Sequence, residues 1–581
     1  LKKLLIILSL FTFNFSFLTC EAQNWLWGRQ GTTFSDNYPV AADDKGNAYL
    51  SGAFKNSISF GSQHLTSISP YNDIYLVKYD SNGNVSWADQ SYSTITSACN
   101  CSSATTDESG NIYITGDFQD TVSFGADSLK SGVSSGNMFL VKLDNNGNVL
   151  WARQSFSPTS KCECSGAGVT IGSGGYVFVT GWFYDTVSFG SLVLKNTSKS
   201  VNSFLVKYDA SGNVIWASQS NTNQGSDAIG LSVAADGYGD SYITGQFRDT
   251  VIYEGDTLKG VAMDFLDQYE ANVLTVKYDG NGNVIWARQS IAHDDSNANN
   301  CAGNSIITDG YGGVYVTGYF LDSIRFGGIN LISSEEGDAF LVKYDINGKL
   351  IWVKQSYALS KAGGGNSGYC LAKDSFNNIY LSGGAGESFV FCNDTLTLGY
   401  PDGDASMILK LDTSGNAICG SVVGAGGDDL NGIASSPSGR YVYFGGDIGD
   451  TVTFNKDFLS PDTNGEVPFM ARWQPCDIPI DTLSKSVSEP CGTVFIPTAF
   501  SPNNDGENDR LYVRGKCITQ MDFVVFDRWG NKVFESESLN TGWDGTYKGQ
   551  PMNTGTYVWY LKATLADGTA LDKKGNVELV R

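Results

Sequence analysis

Phe139-Leu-Val-Lys-Leu-Asp-Asn-Asn-Gly-Asn-Val-Leu-Trp-Ala-Arg-Gln154 reads as one strand, one turn and a returning strand. Apolar and polar residues alternate from Phe139 to Asp144, the period-2 pattern of a half-buried strand. Asn146-Gly147 supplies the positive φ of a tight hairpin, and Asn148 to Ala152 returns antiparallel. The stretch recurs with small changes at 75–90, 204–219, 274–289 and 340–355, and more weakly at 407–422. Trp87, Trp151, Trp216, Trp286 and Trp352 hold one place in these copies, 64 to 70 residues apart, and Cys419 takes the next.

A second motif keeps the same period. Its first copy is Asn47-Ala-Tyr-Leu-Ser-Gly52, and its glycine returns at Gly116, Gly181, Gly245, Gly318, Gly383 and Gly446, so there are seven units. Each reads as four strands, beginning with a short segment such as 167–171. Helical periodicity is absent. Seven four-stranded units without helices predict an all-β chain whose main domain is a seven-bladed β-propeller. The seventh unit stops at Pro475 without a fourth strand, while residues 24–30, Asn-Trp-Leu-Trp-Gly-Arg-Gln, match the fourth strand at 148–154. Pairing the two ends closes the ring and removes two exposed edges. An open solenoid would need dedicated caps instead. Residues 24–475 resemble the bacterial SBBP-type propeller repeats, a resemblance that implies a fold and no activity.

Acidic residues outnumber basic ones 61 to 38, for a net charge of −23, which argues against nucleic acid as a partner. Sixty-eight glycines and 13% aromatic residues suit short strands joined by tight turns. Residues 1–23 read as a secretory signal peptide: Lys2 and Lys3, an apolar stretch over 4–18, then Cys20-Glu-Ala-Gln23 as a small-residue cleavage site. The stretch is short for a membrane span, and no other segment qualifies, so no transmembrane segment is expected in the mature chain. A lipid-anchored reading would use Cys20, but Thr19 before it fits poorly.

Residues 476–490 break the pattern as a linker, and 491–581 form a separate domain. Its text runs Val494-Phe-Ile-Pro-Thr-Ala-Phe-Ser-Pro-Asn-Asn-Asp-Gly-Glu-Asn-Asp509, Phe526-Asp-Arg-Trp-Gly-Asn-Lys-Val-Phe534, Gly542-Trp-Asp-Gly-Thr546 and Gly555-Thr-Tyr-Val-Trp-Tyr560. This series is similar to the gliding-motility-associated C-terminal domain of Bacteroidota, a type B sorting signal. The resemblance implies the type IX secretion machinery as the partner of 491–581. It also implies an extracellular or outer-surface location after Sec export through the periplasm. Alternating short strands predict a small β-sandwich for this domain, with its edges and the terminal strand 574–581 as the recognition surface. In an oxidising compartment a Cys491–Cys517 disulfide is expected. Cys99-Asn-Cys101 and Cys162-Glu-Cys164 are expected to form disulfides rather than a zinc site, since they lack CxxC spacing.

Several residue sets invite a chemical reading. The repeated Asp-x-Asn-Gly-Asn, as at 80–84, faintly resembles a calcium loop, but the hairpin explains it. Asn504, Asp505, Asn508 and Asp509 pack oxygen donors more densely, and calcium is the alternative to a turn there. No other cofactor is indicated. Asp120, Asp185, Asp249, Asp322 and Asp450 share one repeat position and read as turn residues. The place after the motif glycine varies, which suggests exposure and makes Trp182 and Tyr319 candidate ligand contacts. An insertion carrying Asp264, Asp267 and Tyr269, and the loop His293-Asp294-Asp295, are off-pattern segments suited to a binding face. No G-x-S-x-G, H-E-x-x-H, phosphate-loop or dinucleotide fingerprint occurs. The sequence therefore favours a non-catalytic binding or scaffold protein whose propeller engages a glycan, matrix or protein ligand. The alternative is a carbohydrate-active hydrolase or lyase with carboxylates at the propeller mouth.

Overall fold

A computed structural model of the chain describes residues 25–580 except 34, 95–97, 132–135, 158–162, 261–270, 293–299, 335–336, 359–365, 386–387, 392–393, 398–404, 424–428, 437–438, 450, 455–456, 462–465, 476–493, 495, 498, 504–508, 514–517, 539–540 and 566–569. The predicted signal peptide and linker lie outside these residues. The chain divides into two compact units, Leu1–Ile478 and Pro479–Arg581. Among the described residues the only helical element is a single turn, Ser173–Gly175.

The first unit is built from antiparallel sheets in which four strands follow one another outward. In one, Cys164–Ile171 is innermost, followed by Val177–Tyr184, Val201–Tyr208 and Val214–Gln219. Strands Val40–Ala42, Cys99–Thr106, Asp227–Ala235, Cys301–Thr308, Ser367–Lys373 and Asp429–Ser435 take the same innermost place in six further repeats. Each innermost strand packs against the next, and the last packs against the first. The sheet that begins at Asp429 continues through Val442–Ile448 and Val467–Trp473 to Trp25–Gln30. Its outer pair is antiparallel, with Gly28 opposite Ala471 and Gln30 opposite Phe469.

The third strands are not half-buried, as their alternation predicted. Val201–Tyr208 is buried along nearly its whole length because sheet partners flank it and a neighbouring repeat covers each face. Even Lys207 is buried: its ammonium donates to the Gly280 carbonyl at 3.0 Å and sits 4.3 Å from the Tyr176 ring centre. The alternating polar residue thus snorkels along aromatic surface to a neighbouring repeat.

The hairpin turns are as read. Asp144 Oδ1 accepts the Asn146 and Asn148 backbone N–H groups at 2.8 and 2.9 Å, and Asn148 Nδ2 donates to Asp144 Oδ2 at 2.8 Å. The same bonds form at Asp80. Both carboxylate oxygens are committed to the turn, and the Asn148 bonds hold the Asp144 carboxyl below its usual range. Asp120, Asp185, Asp249 and Asp322 adopt φ of 58°, 70°, 55° and 60°, as turn residues do.

The repeated tryptophans join one sheet to the next. Trp151 Nε1 donates to Ala210 O at 3.3 Å, and a Cβ on Gly212 would meet its ring at 3.1 Å, so only glycine admits the indole. Arg153 lies 5.2 Å over the same ring and donates from Nε to Gly212 O at 2.9 Å. Trp27, at the far N-terminal end, repeats this on the first turn: Nε1 donates to Ser81 O at 3.1 Å, with the ring against Gly83.

Four strands per unit understates the architecture. A short hairpin follows each second strand, for example Thr121–Phe124 with Asp127–Lys130. A Gln closes every fourth strand but the sixth, where Val422 stands, and can clamp it: Gln154 Oε1 accepts the Lys130 N–H and its Nε2 donates to Lys130 O, both at 2.8 Å. Gln30 forms the same clamp with Ser460, at 2.9 Å each way.

The CxC expectation is corrected. Cys99 and Cys101 are fully buried thiols outside any disulfide, and Cys164 and Cys301 are buried and not disulfide-bonded either. Residues two apart on a strand are separated by ~6.6 Å or more at Cα, the outer limit for a disulfide. Burial pushes both the Cys99 and the Cys101 thiol up to about 12, which makes both poor nucleophiles. Cys419 is disulfide-bonded. Cys491 and Cys517 lie outside the described residues.

The second unit is predicted to be a small sandwich, and only part of it is described. Its described residues form one five-stranded sheet in the order Ala499–Phe500, Ala570–Leu579, Gly555–Leu565, Ile518–Phe526, Lys532–Ser536, plus the small pair Thr546–Tyr547 and Gln550–Pro551. Non-strand segments complete the core through Val494, Leu511 and Trp543. Trp543 packs edge-on to Tyr557 at 4.8 Å and donates to Thr546 O at 2.8 Å, so an indole does the covering a second sheet would have done. The terminal strand is not a free edge along its whole length, because Ala499–Phe500 pairs parallel with Glu578 and Leu579.

Candidate functional site

The innermost strands of the first unit line a cavity of about 770 Å³. Its wall is mostly small: Ala41, Ser103, Ala167, Ser232, Ser305 and Ala434 are typical. Lys373 and Asp374 are its charged residues, and the Asp374 carboxylate is occupied by the Phe376 and Asn378 N–H groups, the Asn378 amide and the Tyr380 hydroxyl at 2.8 to 3.0 Å.

At one end of the sheets, the second strands place the variable residue after the motif glycine. Along these strands that position is half-buried while both neighbours are buried, as at Asp117, Trp182, Gln246 and Tyr319. Trp182 and Tyr319 are therefore not the fully exposed platforms the variation suggested. They stand in register opposite Ser165 and Ala302 of the innermost strands. Tyr319 lies near Arg248 and bonds Asn300, and burial raises its phenol. Asp117 is bonded across two repeats, accepting from Ser165 Oγ at 3.3 Å, and Asn100 also contacts Asn72 at 3.1 Å. Burial pushes the Asp117 carboxyl up to about 6 against the lowering bonds of Ser165 and Asn100, and the Glu163 carboxylate pushes the same way as burial. The result is an arc of amide, carboxyl, hydroxyl and aromatic groups reaching solvent from consecutive repeats.

The remaining sequence candidates are not brought to this arc. Asp264, Asp267, Tyr269, His293 and Asp294 lie outside the described residues, as do Asn504, Asp505 and Asn508. Asp509 is described, and its Oδ1 accepts the Asn503 N–H at 3.0 Å, a turn contact. Among the described residues no cluster of three or more His, Cys, Asp or Glu is placed to hold a metal.

Sequence reasoning missed a set at the opposite end of the sheets. Turns between first and second strands present Tyr238, Tyr311 and Phe376, exposed by 66%, 65% and 50%. In each, the N–H of the aromatic residue donates to the leading Asp at 2.9 Å. The first two repeats carry Lys45 and Ser109 at this place. The signal was available: an aromatic residue two places after the leading Asp of a turn cannot be buried by that turn.

Comparison with known proteins bears mainly on the second unit. Residues 494–579 match the family described as the CHU_C Type IX secretion signal domain. Such a segment implies export to the cell surface or the extracellular space. An uncharacterized WD repeat-containing protein of Acanthamoeba polyphaga mimivirus is 26% identical over 415 residues, covering 57% of this chain. The match spans only 28% of that protein's length. Among solved structures, the Dos1 propeller aligns with 77% of this chain and 95% of its own at 9% identity and a TM-score of 0.37. The WD40 repeats of RRP9 align with 78% and 99% at 8% identity and a TM-score of 0.37. Among the described residues no helix is long and apolar enough to cross a membrane.

Proposed function

We propose that the chain is a binding protein delivered outside the cell, its propeller the cargo and its C-terminal unit the address. The observation that carries this reading is the match of residues 494–579 to a type IX secretion signal domain. The seven repeats form one ring, closed where Trp25–Gln30 completes the last sheet. The pairing with Val467–Trp473 and the Gln30–Ser460 clamp support that closure. Its ligand is a glycan, matrix or protein surface, met by the arc at Asp117, Trp182, Gln246 and Tyr319. Half-buried planar and aromatic groups on rigid strands suit recognition at low entropic cost. Removing residues 479–581 should leave a folded propeller in the periplasm, and fusing them behind a signal peptide to an unrelated domain should export that domain. Secretion of the truncated chain through a working type IX system would refute the reading.

One observation favours a second reading, a carbohydrate-active hydrolase. Asp117 is held partly protonated near neutral pH beside a second carboxylate, Glu163, an environment that separates acid from base. Product analysis on a polysaccharide panel, with Asp117→Asn as control, tests it; no cleavage by the wild-type chain rejects it.

A further inference from the structure

The C-terminal unit buries its other tryptophans, with Trp543 1% and Trp559 9% exposed, yet leaves Trp529 78% exposed. Trp529 sits at the tip of the hairpin joining Ile518–Phe526 to Lys532–Ser536. The tip is rigid. Asp527 Oδ1 accepts the Trp529 and Asn531 N–H groups at 2.9 Å, and Asn531 Nδ2 donates to Asp527 Oδ2 at 2.9 Å. Gly530 takes the left-handed conformation with φ of 83°.

Between third and fourth strands of the first unit the same turn is made six times, with Asn82, Asn146, Ser211, Asn281, Asn347 and Ser414 in the place of Trp529. Those copies show that the turn does not need an indole. The ring is left largely in water, and the Arg528 guanidinium lies 5.3 Å from its centre. The adjoining edge strand is a poor site for strand addition. It is five residues long, and Lys532 and Glu535 pair along it at 2.6 Å with both side chains exposed. The far side of the sheet is partly closed by Ala499–Phe500. An exposed Trp backed by Arg on a pre-ordered turn is the composition of an interface anchor.

We infer that Trp529, with Arg528 over it, is the anchor by which the sorting unit docks on its protein receptor in the type IX machinery. The receptor would offer an apolar, ring-sized pocket with an acidic rim. The inference rests on the sorting function proposed above and adds the residue that is read.

The test uses the full chain expressed in a strain with a working type IX system, comparing wild type, Trp529→Asn and Trp529→Tyr. Trp529→Asn installs the residue found in sibling turns. It should keep the wild-type melting temperature, accumulate in the periplasm and reach the medium about 30-fold less, the size of a 2 kcal/mol anchor loss. Trp529→Tyr should restore part of the export. Wild-type secretion of Trp529→Asn overturns the inference, as does misfolding of Trp529→Asn, since the claim includes that the fold ignores the indole. Binding of the full chain to phosphatidylethanolamine–phosphatidylglycerol vesicles, lost in Trp529→Asn, would assign the residue to a lipid surface and overturn it too. Failure of the wild-type chain itself to leave the cell would count against the sorting reading instead.

Discussion

Replacing Trp27 by Ala tests whether the N-terminal strand is a structural part of the propeller or a fraying tail. Trp27 is 4% exposed and bridges the last sheet to the first. Its ring lies 5.9 Å from Tyr79 and 5.8 Å from Tyr443, and its Nε1 donates to Ser81 O at 3.1 Å. Truncating a buried Trp to Ala costs about 3–5 kcal/mol, of which the lost hydrogen bond is about 1. Arg29, 5.8 Å over the ring, loses a further ~0.5 kcal/mol of cation–π attraction. If the strand frayed readily, the mutant would detach it and the loss would be limited to the small free energy of that local opening. Trp151→Ala, in the same setting within the chain, supplies the reference. Urea unfolding followed by far-ultraviolet circular dichroism should show both variants losing about 3–5 kcal/mol with little change in denaturant slope. A loss below about 1 kcal/mol for Trp27→Ala beside a full loss for Trp151→Ala would refute the bridging role.

Gln154→Ala should cost about 1 kcal/mol by urea titration, since the clamp on Lys130 is partly solvated; Gln154→Glu should cost more, because a carboxylate cannot donate to the Lys130 carbonyl. Cys99, Cys101, Cys164 and Cys301 should resist alkylation at pH 8 in the folded chain and react in urea, as peptide mass mapping would show. The Asp117 carboxyl is raised to about 6 in the folded state, so the neutral form is favoured there. Its penalty is absent below the unfolded value near 4, grows as pH rises to 6 and is constant above. Asp117→Asn should therefore stabilise the fold at pH 8, by at most ~3 kcal/mol and less for the water the side chain still meets, and change it little at pH 4, as a rise in melting temperature at pH 8 alone would show. An equal shift at both pH values would rule out the burial argument.

The repeat was legible because each copy writes its turn chemistry openly: Asp, Gly and Asn at fixed places are set by local backbone geometry, which needs no partner sheet. The match of 24–30 to 148–154 was legible for the same reason. The hairpins after the second strands were not, although Thr-Val-Ser-Phe recurs at 121–124 and 186–189. Four residues give too little alternation to separate a strand from a loop, and the clamping Gln lies 24 residues from the backbone it bonds. Cys99, Cys101 and Cys164 misled because compartment predicts oxidation, while burial inside the strands leaves these thiols unbridged. Variation at Trp182 and Tyr319 marked a half-buried place on the strand, not a fully exposed one, because both sequence neighbours point into the sheet's buried face or backbone.

The one break in the tryptophan series carries its own structural argument. Trp27, Trp87, Trp151, Trp216, Trp286 and Trp352 each lie against a glycine in the turn of the following repeat, at Gly83, Gly147, Gly212, Gly282, Gly348 and Gly415. The next indole would belong at 419, facing the turn between the third and fourth strands of the last repeat. That turn does not exist, because the third strand ends at Trp473 and the fourth is Trp25–Gln30 from the other end of the chain. An indole at 419 would have neither a glycine to lie on nor a carbonyl to receive its N–H, and would expose a large apolar face. Cys419 stands there instead. The junction is filled from the other side by Trp473, fully buried, edge-on to Tyr380 at 6.4 Å and to Phe444 at 6.1 Å. The single repeat that lacks its tryptophan therefore marks the seam where the two chain ends meet, and the residue is absent because the surface it would cover is absent.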